Sequence, residues 1–153
     1  MEPAFRLSSP CSEAEFARYF ELRWQLLRAP WEQPRGSERD EFEVDAFHLQ
    51  ARDRTGTLIG IGRLHRINGN RGQIRYMAVV EAWRGRGVGA ALLAALEQKA
   101  RDWGLNQIRL HARQDVVGFY TSHGYAVVAP SHTLFGCIRH TLMRKPLRNT
   151  GTV

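Results

Sequence analysis

Apolar residues recur along this chain with two different periods. Phe16, Phe20, Trp24 and Leu27 stand three to four residues apart and predict an amphipathic helix that Pro30 ends. Ser12 and Glu15 have capping-box spacing just before it, and residues 4–9 read as a short first strand. Residues 30–44 are rich in turn formers and charge and read as a surface segment. The period then changes to two. Phe47, Leu49 and Ala51 share one face of 46–52; Thr55-Gly56 turns the chain into 58–67, and Asn68-Gly69-Asn70 turns it again into 72–80. Turns this short join antiparallel neighbours, which predicts a three-stranded meander.

Helical spacing returns between about 87 and 103. Leu92, Leu96, Ala100 and Trp103 define its buried side, Glu97 and Arg101 an i,i+4 pair on its polar side, and Gly104 its end. Residues 107–112 read as a fifth strand, 115–123 as a short helix closed by Gly124, 125–128 as a sixth strand and 135–145 as the last. The order β-α-β-β-β-α-β-α-β-β predicts a single-domain α/β (α+β) fold over 1–146. Its sheet is mixed, mostly antiparallel and six- to seven-stranded, because a meander runs into a βαβ crossover. A flexible tail is expected over 147–153, with 149–153 frayed.

Composition narrows the function classes. With 153 residues, 43% hydrophobic and 24% charged, the chain has the make-up of an ordinary globular protein with one core. No apolar run approaches the roughly 18 residues of a membrane span, and the N-terminus has no apolar signal region, so a cytoplasmic protein is expected. Cys11 and Cys137 lie far apart without metal-ligand spacing and read as free thiols, with no metal implied. The net charge of +7 fits an anionic partner. Basic residues are scattered, and neither zinc-finger spacing nor an RNA-binding aromatic signature is present, so a phosphorylated ligand is favoured over nucleic acid.

One stretch gives that ligand a place. In "YMAVVEAWRGRGVGAALL" (76–93), a strand gives way to a helix through Gly85, Gly87 and Gly89, with Arg84 and Arg86 between. Glycines at such a junction let backbone N–H groups converge beside the positive end of a helix dipole, a site for phosphate. A tight turn that only permits close packing is the other reading. The pattern is neither a Walker loop, which needs a Lys-Ser/Thr pair, nor a dinucleotide fingerprint, which opens a βαβ unit.

"RGRGVG" (84–89) matches the [Q/R]-x-x-G-x-[G/A] motif of the GNAT superfamily of acetyl-CoA-dependent N-acetyltransferases, and "MAVVEAW" is similar to the approach to it. "VVGFYTSHGYAVV" (116–128) resembles that superfamily's A-x-x-[FL]-Y-x-x-x-G-[FY] segment. The two motifs come in the family's order, and the element order agrees over nearly the whole chain. "LRWQLLRAP" (22–30) and "HTLFG" (132–136) also resemble an uncharacterised bacterial branch.

The resemblance implies transfer of an acetyl group from acetyl-CoA to a primary amine by direct attack in a ternary complex. It implies helices on both faces of the sheet and splayed fourth and fifth strands. Backbone N–H groups of Arg84, Gly85, Arg86, Gly87, Val88, Gly89 and Ala90 would hold the CoA pyrophosphate. Met77, Ala78 and Val79 would pair with pantetheine, and the N–H near Val79 would polarise the thioester. Tyr120 would contact the sulfur and protonate the leaving thiolate; a tyrosine bridging core and solvent is the plainer alternative.

Some relatives carry a glutamate base six residues before the strand-end valine, where this chain has Gln73. His111, His132 and His140 are substitutes, His140 foremost. Arg113, seven residues before Tyr120, stands where many relatives have asparagine, and could reach a CoA phosphate. Glu38 and Asp40, in a segment (36–41) that reads as a solvated loop, would suit a cationic amine if they bordered the acceptor pocket. Relatives often form homodimers. A catalytically silent acyl-CoA-binding regulatory module stays open as a second reading, because Gln73 cannot take a proton.

Overall fold

The computed structural model describes residues 3–148. Strands β1 (Phe5–Ser8), β2 (Phe47–Asp53), β3 (Leu58–Asn68), β4 (Arg71–Val79), β5 (Gln107–Arg113), β6 (Ala126–Leu134) and β7 (Ile138–Pro146) form one sheet in the order β1-β2-β3-β4-β5-β7-β6. Helices α1 (Glu13–Leu27), α2 (Val88–Asp102) and α3 (Val117–Ser122) complete the fold. Every pairing is antiparallel except β4 with β5, which the crossover through α2 makes parallel.

Alternation along β3 sets the two layers. Gly60, Gly62 and Leu64 face α2: a Cβ at Gly60 would meet Val88 at 3.0 Å and Leu92 at 3.1 Å, and one at Gly62 would meet Leu96 at 3.0 Å. The glycines of "IGIG" therefore let α2 lie directly on the strand. The opposite face carries Arg63, which shares the Glu43 carboxylate with Arg23 of α1, each at 2.9 Å. Between α2 and the sheet sits the main core, with Leu64, Leu92, Leu96, Ala100, Ile108 and Met143 buried.

Several elements depart from expectation for physical reasons. Ser12 Oγ caps α1 by accepting from the Glu15 N–H at 3.0 Å, but the Glu15 carboxylate reaches past Ser12 to the Cys11 N–H at 2.8 Å. The fully buried residues of α1 are Tyr19 and Arg23; the stripe of Phe16, Phe20, Trp24 and Leu27 is half-buried. Glu97 lies inside rather than on a polar face, accepting from Tyr125 Oη at 2.8 Å and Lys145 Nζ at 2.9 Å. Its i,i+4 neighbour Arg101 instead donates to the Arg148 carbonyl at 2.9 Å. β6 continues to Leu134 through Pro130, which an edge strand tolerates because one side needs no donor. Leu147 N–H donates to the Asn106 carbonyl at 2.8 Å; the expected frayed end, 149–153, lies outside the described residues.

Two features of β4 open the sheet at its centre. Ile61 pairs with Ala78 and Arg63 with Arg75, so Tyr76 and Met77 together oppose Gly62 in a bulge, with Tyr76 at φ +59°. On its other side β4 pairs with β5 only over Arg71–Gln73 against Gln107–Arg109, and beyond these the two strands run apart to Val79 and Arg113.

Candidate active site

Beyond the end of β4 the chain makes a short turn, Glu81–Trp83, and enters the glycine bend. Gly85 and Gly87 sit at φ +73° and +88°, and a Cβ on either would meet nothing within 4 Å. Left-handed backbone, not crowding, is what requires glycine here. Gly87 caps α2 without any side-chain hydrogen bond, and the first N–H to bond back into the helix is that of Ala91, at 3.0 Å from the Gly87 carbonyl. The N–H groups of Val88, Gly89 and Ala90 are therefore left to whatever lies off the helix end.

No acidic residue occupies the first turn of α2. Arg84 is exposed and anchored by Nε to the Val79 carbonyl at 3.2 Å, and Arg86 lies 3.8 Å above the Trp83 ring. Neither has an ion-pair partner among the described residues. Free donors, a helix dipole and two unpaired cations at one end of α2 make a seat for a phosphate-bearing ligand.

The split between β4 and β5 lies beside this bend. Val80 N–H donates to the Ile59 carbonyl at 2.9 Å, which makes Gly60 and Val79 a non-hydrogen-bonded pair. The N–H and C=O of Val79 therefore point away from β3, toward the side that β5 has left. Met77 and Ala78 precede it on the same partly buried strand end.

A cavity of about 290 Å3 occupies the split, walled by β4, β5, the end of α1, α3 and the β6–β7 hairpin. Tyr120 lines it; it is 7% exposed, and its hydroxyl has no hydrogen-bond partner among the described residues. Burial pushes its pKa up, so it is a phenol carrying its proton at neutral pH. Phe119 and Tyr125 pack edge-on against its ring at 5.1 and 5.6 Å and hold it in place.

Three histidines that the sequence leaves as separate candidates come together in this cavity. His132 stacks on His140 with centroids 4.4 Å apart and lies 5.3 Å from His111. His140 Nδ1 is 3.0 Å from the Ile138 carbonyl. A carbonyl only accepts, so Nδ1 carries the proton and Nε2 keeps a lone pair. Burial lowers the pKa of both His111 and His140, and the neighbouring histidines add to the effect. Gln73 lines the same cavity, as does Arg113, whose guanidinium lies 5.0 Å over the Trp31 ring. The glycine bend does not reach this cavity wall.

The segment 36–41 is not a solvated loop, and its carboxylates do not line the cavity. Glu38 is 4% exposed and accepts from the Gly36 N–H at 2.7 Å, and it pairs with Arg39. Asp40 takes Arg63 in a fork, at 2.6 and 2.9 Å, and Arg75 at 2.7 Å. These charges face inward, where Arg23, Arg63 and Arg75 also surround the Tyr76 ring at 4.1 to 4.9 Å. No sequence signal marks Arg28, Trp31, Arg75 and Tyr76 as cavity residues, since the first two follow α1 and the last two lie on β4, more than 40 positions on.

Among the described residues there is no cluster of His, Cys, Asp and Glu that could hold a metal ion, and no helix long and apolar enough to cross a membrane. Cys11 and Cys137 are exposed free thiols.

Comparison with known proteins agrees with this geometry. The profile of the acetyltransferase (GNAT) family matches residues 16–125. The Bacillus subtilis (strain 168) protein described as uncharacterized N-acetyltransferase YjcF is 30% identical over 134 residues, 88% of this chain and 94% of that one. An acyl-CoA N-acyltransferase from Pseudomonas aeruginosa shares the fold with a TM-score of 0.77 and 24% identity, over 92% of this chain and 97% of the other. A GNAT family acetyltransferase from Elizabethkingia anophelis, solved with acetyl-CoA bound, has a TM-score of 0.77 at 15% identity, over 95% and 100%.

Proposed function

This chain belongs to the acetyltransferase (GNAT) family, and on that premise we propose that it moves an acetyl group from acetyl-CoA to a primary amine by direct attack in a ternary complex. Acyl transfer to an amine follows from the family. What supports the finer reading is that the split between β4 and β5 brings Tyr120 and Met77 to one cavity, with the outward-turned Val79 N–H two residues further along the same strand and the glycine bend beyond it.

Coenzyme A fits the residues present. The bend offers the unpaired N–H groups of Val88, Gly89 and Ala90 and two guanidinium groups without ion-pair partners to a pyrophosphate, although the Arg84 N–H is itself taken by the Glu81 carbonyl at 3.2 Å. Met77, Ala78 and Val79 form a strand end that β5 leaves uncovered, with the Val79 N–H turned outward to an extended pantetheine arm. Bound acetyl-CoA supplies the activated acyl group. Val79 N–H polarises its carbonyl, His140 Nε2 removes a proton from the amine, and Tyr120 gives its own proton to the departing sulfur.

The test is thiol release from acetyl-CoA across a panel of amines, paired with calorimetry of coenzyme A. Tight binding without any release above background identifies a silent acyl-CoA-binding module instead. Gly87→Ala is expected to weaken coenzyme A at least about tenfold, because alanine disfavours the left-handed backbone by about 1 kcal/mol or more and its methyl group stands at the donor end of α2. The maximal rate at saturation should change only a few-fold.

The lowered pKa of His140 sets a sign for the pH profile. The base form prevails above that pKa, so the acid limb of kcat/KM should lie below the ordinary histidine value of about 6.5. His140→Gln is expected to remove this limb and to lower kcat about 100-fold. A profile unchanged in shape would assign the proton to water.

A further inference from the structure

The cavity beyond Tyr120 is lined by Arg28, Arg75 and Arg113 and by three histidines, but by no carboxylate. Arg75 is neutralised by Asp40 at 2.7 Å. Arg28 is not neutralised. It is 7% exposed, its Nε donates to the Ser37 carbonyl at 3.0 Å and its Nη1 to the Leu27 carbonyl at 2.8 Å. Its Nη2 donates to nothing, and no carboxylate pairs with it among the described residues. Tyr76 and Phe135 flank the guanidinium at 5.7 and 5.4 Å, which fixes its plane. Arg113 is a second, partly exposed cation on the same lining, and its Nε makes only a loose ion pair with Asp115 at 3.7 Å.

Withdrawing a guanidinium from water without a counter-charge costs several kcal/mol. Arg28 is such a group, with its Nη2 unused, and Arg113 adds a partly exposed cation to the same lining; together they mark a place where negative charge enters. The planar fork of arginine suits a carboxylate or phosphate in particular. At about 290 Å3 the cavity is at the small end of ligand pockets, the size of an amino acid rather than a peptide.

We infer that the acceptor amine carries an anionic group, a carboxylate or a phosphate, that Arg28 and Arg113 hold in the cavity that Tyr120 also lines. The amine half of this statement rests on the acyl-transfer reading above; the anion seat rests on the two arginines alone. It reverses the sign expected from Glu38 and Asp40, neither of which lines the cavity: Glu38 is taken up by the Gly36 N–H and Arg39, and Asp40 by Arg63 and Arg75.

Matched amines test it. γ-Aminobutyrate is compared with its amide, glycine with glycinamide and O-phosphoethanolamine with ethanolamine, by thiol release from acetyl-CoA and by calorimetry on the protein saturated with coenzyme A. One anionic series is expected to exceed its neutral partner about 100-fold in kcat/KM, and which one separates carboxylate from phosphate. Arg28→Gln should reduce that ratio below about tenfold while the affinity for coenzyme A, which also reports folding, stays unchanged. Equal or better use of the neutral amines in every pair overturns the anion seat and leaves the acyl-transfer reading standing. No thiol release from any amine, with the anionic preference kept in calorimetry, does the reverse. No preference in either measurement, or an undiminished preference in Arg28→Gln, also removes the seat.

Discussion

Tyr120→Phe is expected to lower kcat by about 10²- to 10⁴-fold, while the KM for acetyl-CoA and the urea midpoint stay close to the parent values. The substitution deletes one oxygen from a ring whose packing against Phe119 and Tyr125 is unaffected. No hydrogen bond inside the protein is lost, because the hydroxyl makes none among the described residues. The hydroxyl opens onto the cavity, so its removal should leave stability close to the parent value. What disappears, on the proposed mechanism, is the proton donor to the leaving thiolate, a phenol whose pKa burial keeps high. Steady-state thiol release with varied acetyl-CoA separates the two parameters. A fall in affinity with an unchanged kcat would make Tyr120 a wall of the cavity and nothing more.

Asp40→Asn is expected to lower unfolding free energy by about 3–5 kcal/mol, the cost of breaking a buried ion pair from one side. For a chain of this size that is roughly 10 °C or more in Tm. Arg63 is fully buried, and Asp40 holds it by both carboxylate oxygens while also taking Arg75. An amide cannot supply two acceptor oxygens, and it leaves Arg63 with only Glu43 at 2.9 Å to balance its charge. His65 cannot help: burial and the adjacent Arg63 charge press its pKa down to about 4, and it accepts from Arg63 Nη2 at 3.0 Å as a neutral ring.

The same pair fixes the acid side of the stability profile. Burial alone would raise the Asp40 carboxyl, but the Arg63 hydrogen bonds, the Phe42 N–H and the charges of Arg63 and Arg75 outweigh it and hold the group well below the usual carboxylate range. A depressed folded pKa gives stability that is present above the unfolded value of about 3.9 and lost as pH falls below it. Denaturant titrations from pH 6 downward should therefore show a steep acid limb in the parent and a shallower one in Asp40→Asn. Exposed pairs give a control. Arg35→Ala breaks its surface ion pair with Glu21 and should change stability by less than about 1 kcal/mol.

Local signals in the chain were enough for the elements and for the left-handed glycine bend. Turn chemistry at Thr55-Gly56 and Asn68-Gly69-Asn70 specified the meander, since short turns admit only antiparallel neighbours. Gly85 and Gly87 were readable because left-handed backbone is a property of single residues. Helix faces were less legible. Tyr19 and Arg23 are polar-tipped residues that the hydrophobic count passes over, yet they are wholly buried because the Arg23 guanidinium meets Glu43 from 20 positions away. Glu97 misled for the same reason: its partners Tyr125 and Lys145 are 28 and 48 positions distant.

By itself, then, the order of residues determined the strands, the helices, the glycine bend and the tyrosine that follows it, because each depends on spacing within a few turns of chain. Which charges face the cavity was decided only by the tertiary structure. Asp40 could have met an amine or an arginine; Arg63 and Arg75, brought beside it by β3 and β4, took both its oxygens. Arg28, at the end of α1, was left without a carboxylate partner, and Arg113 of β5 with only a loose one in Asp115. Charge pairing is settled by proximity in space, and proximity between separate elements is not written in the spacing of either one.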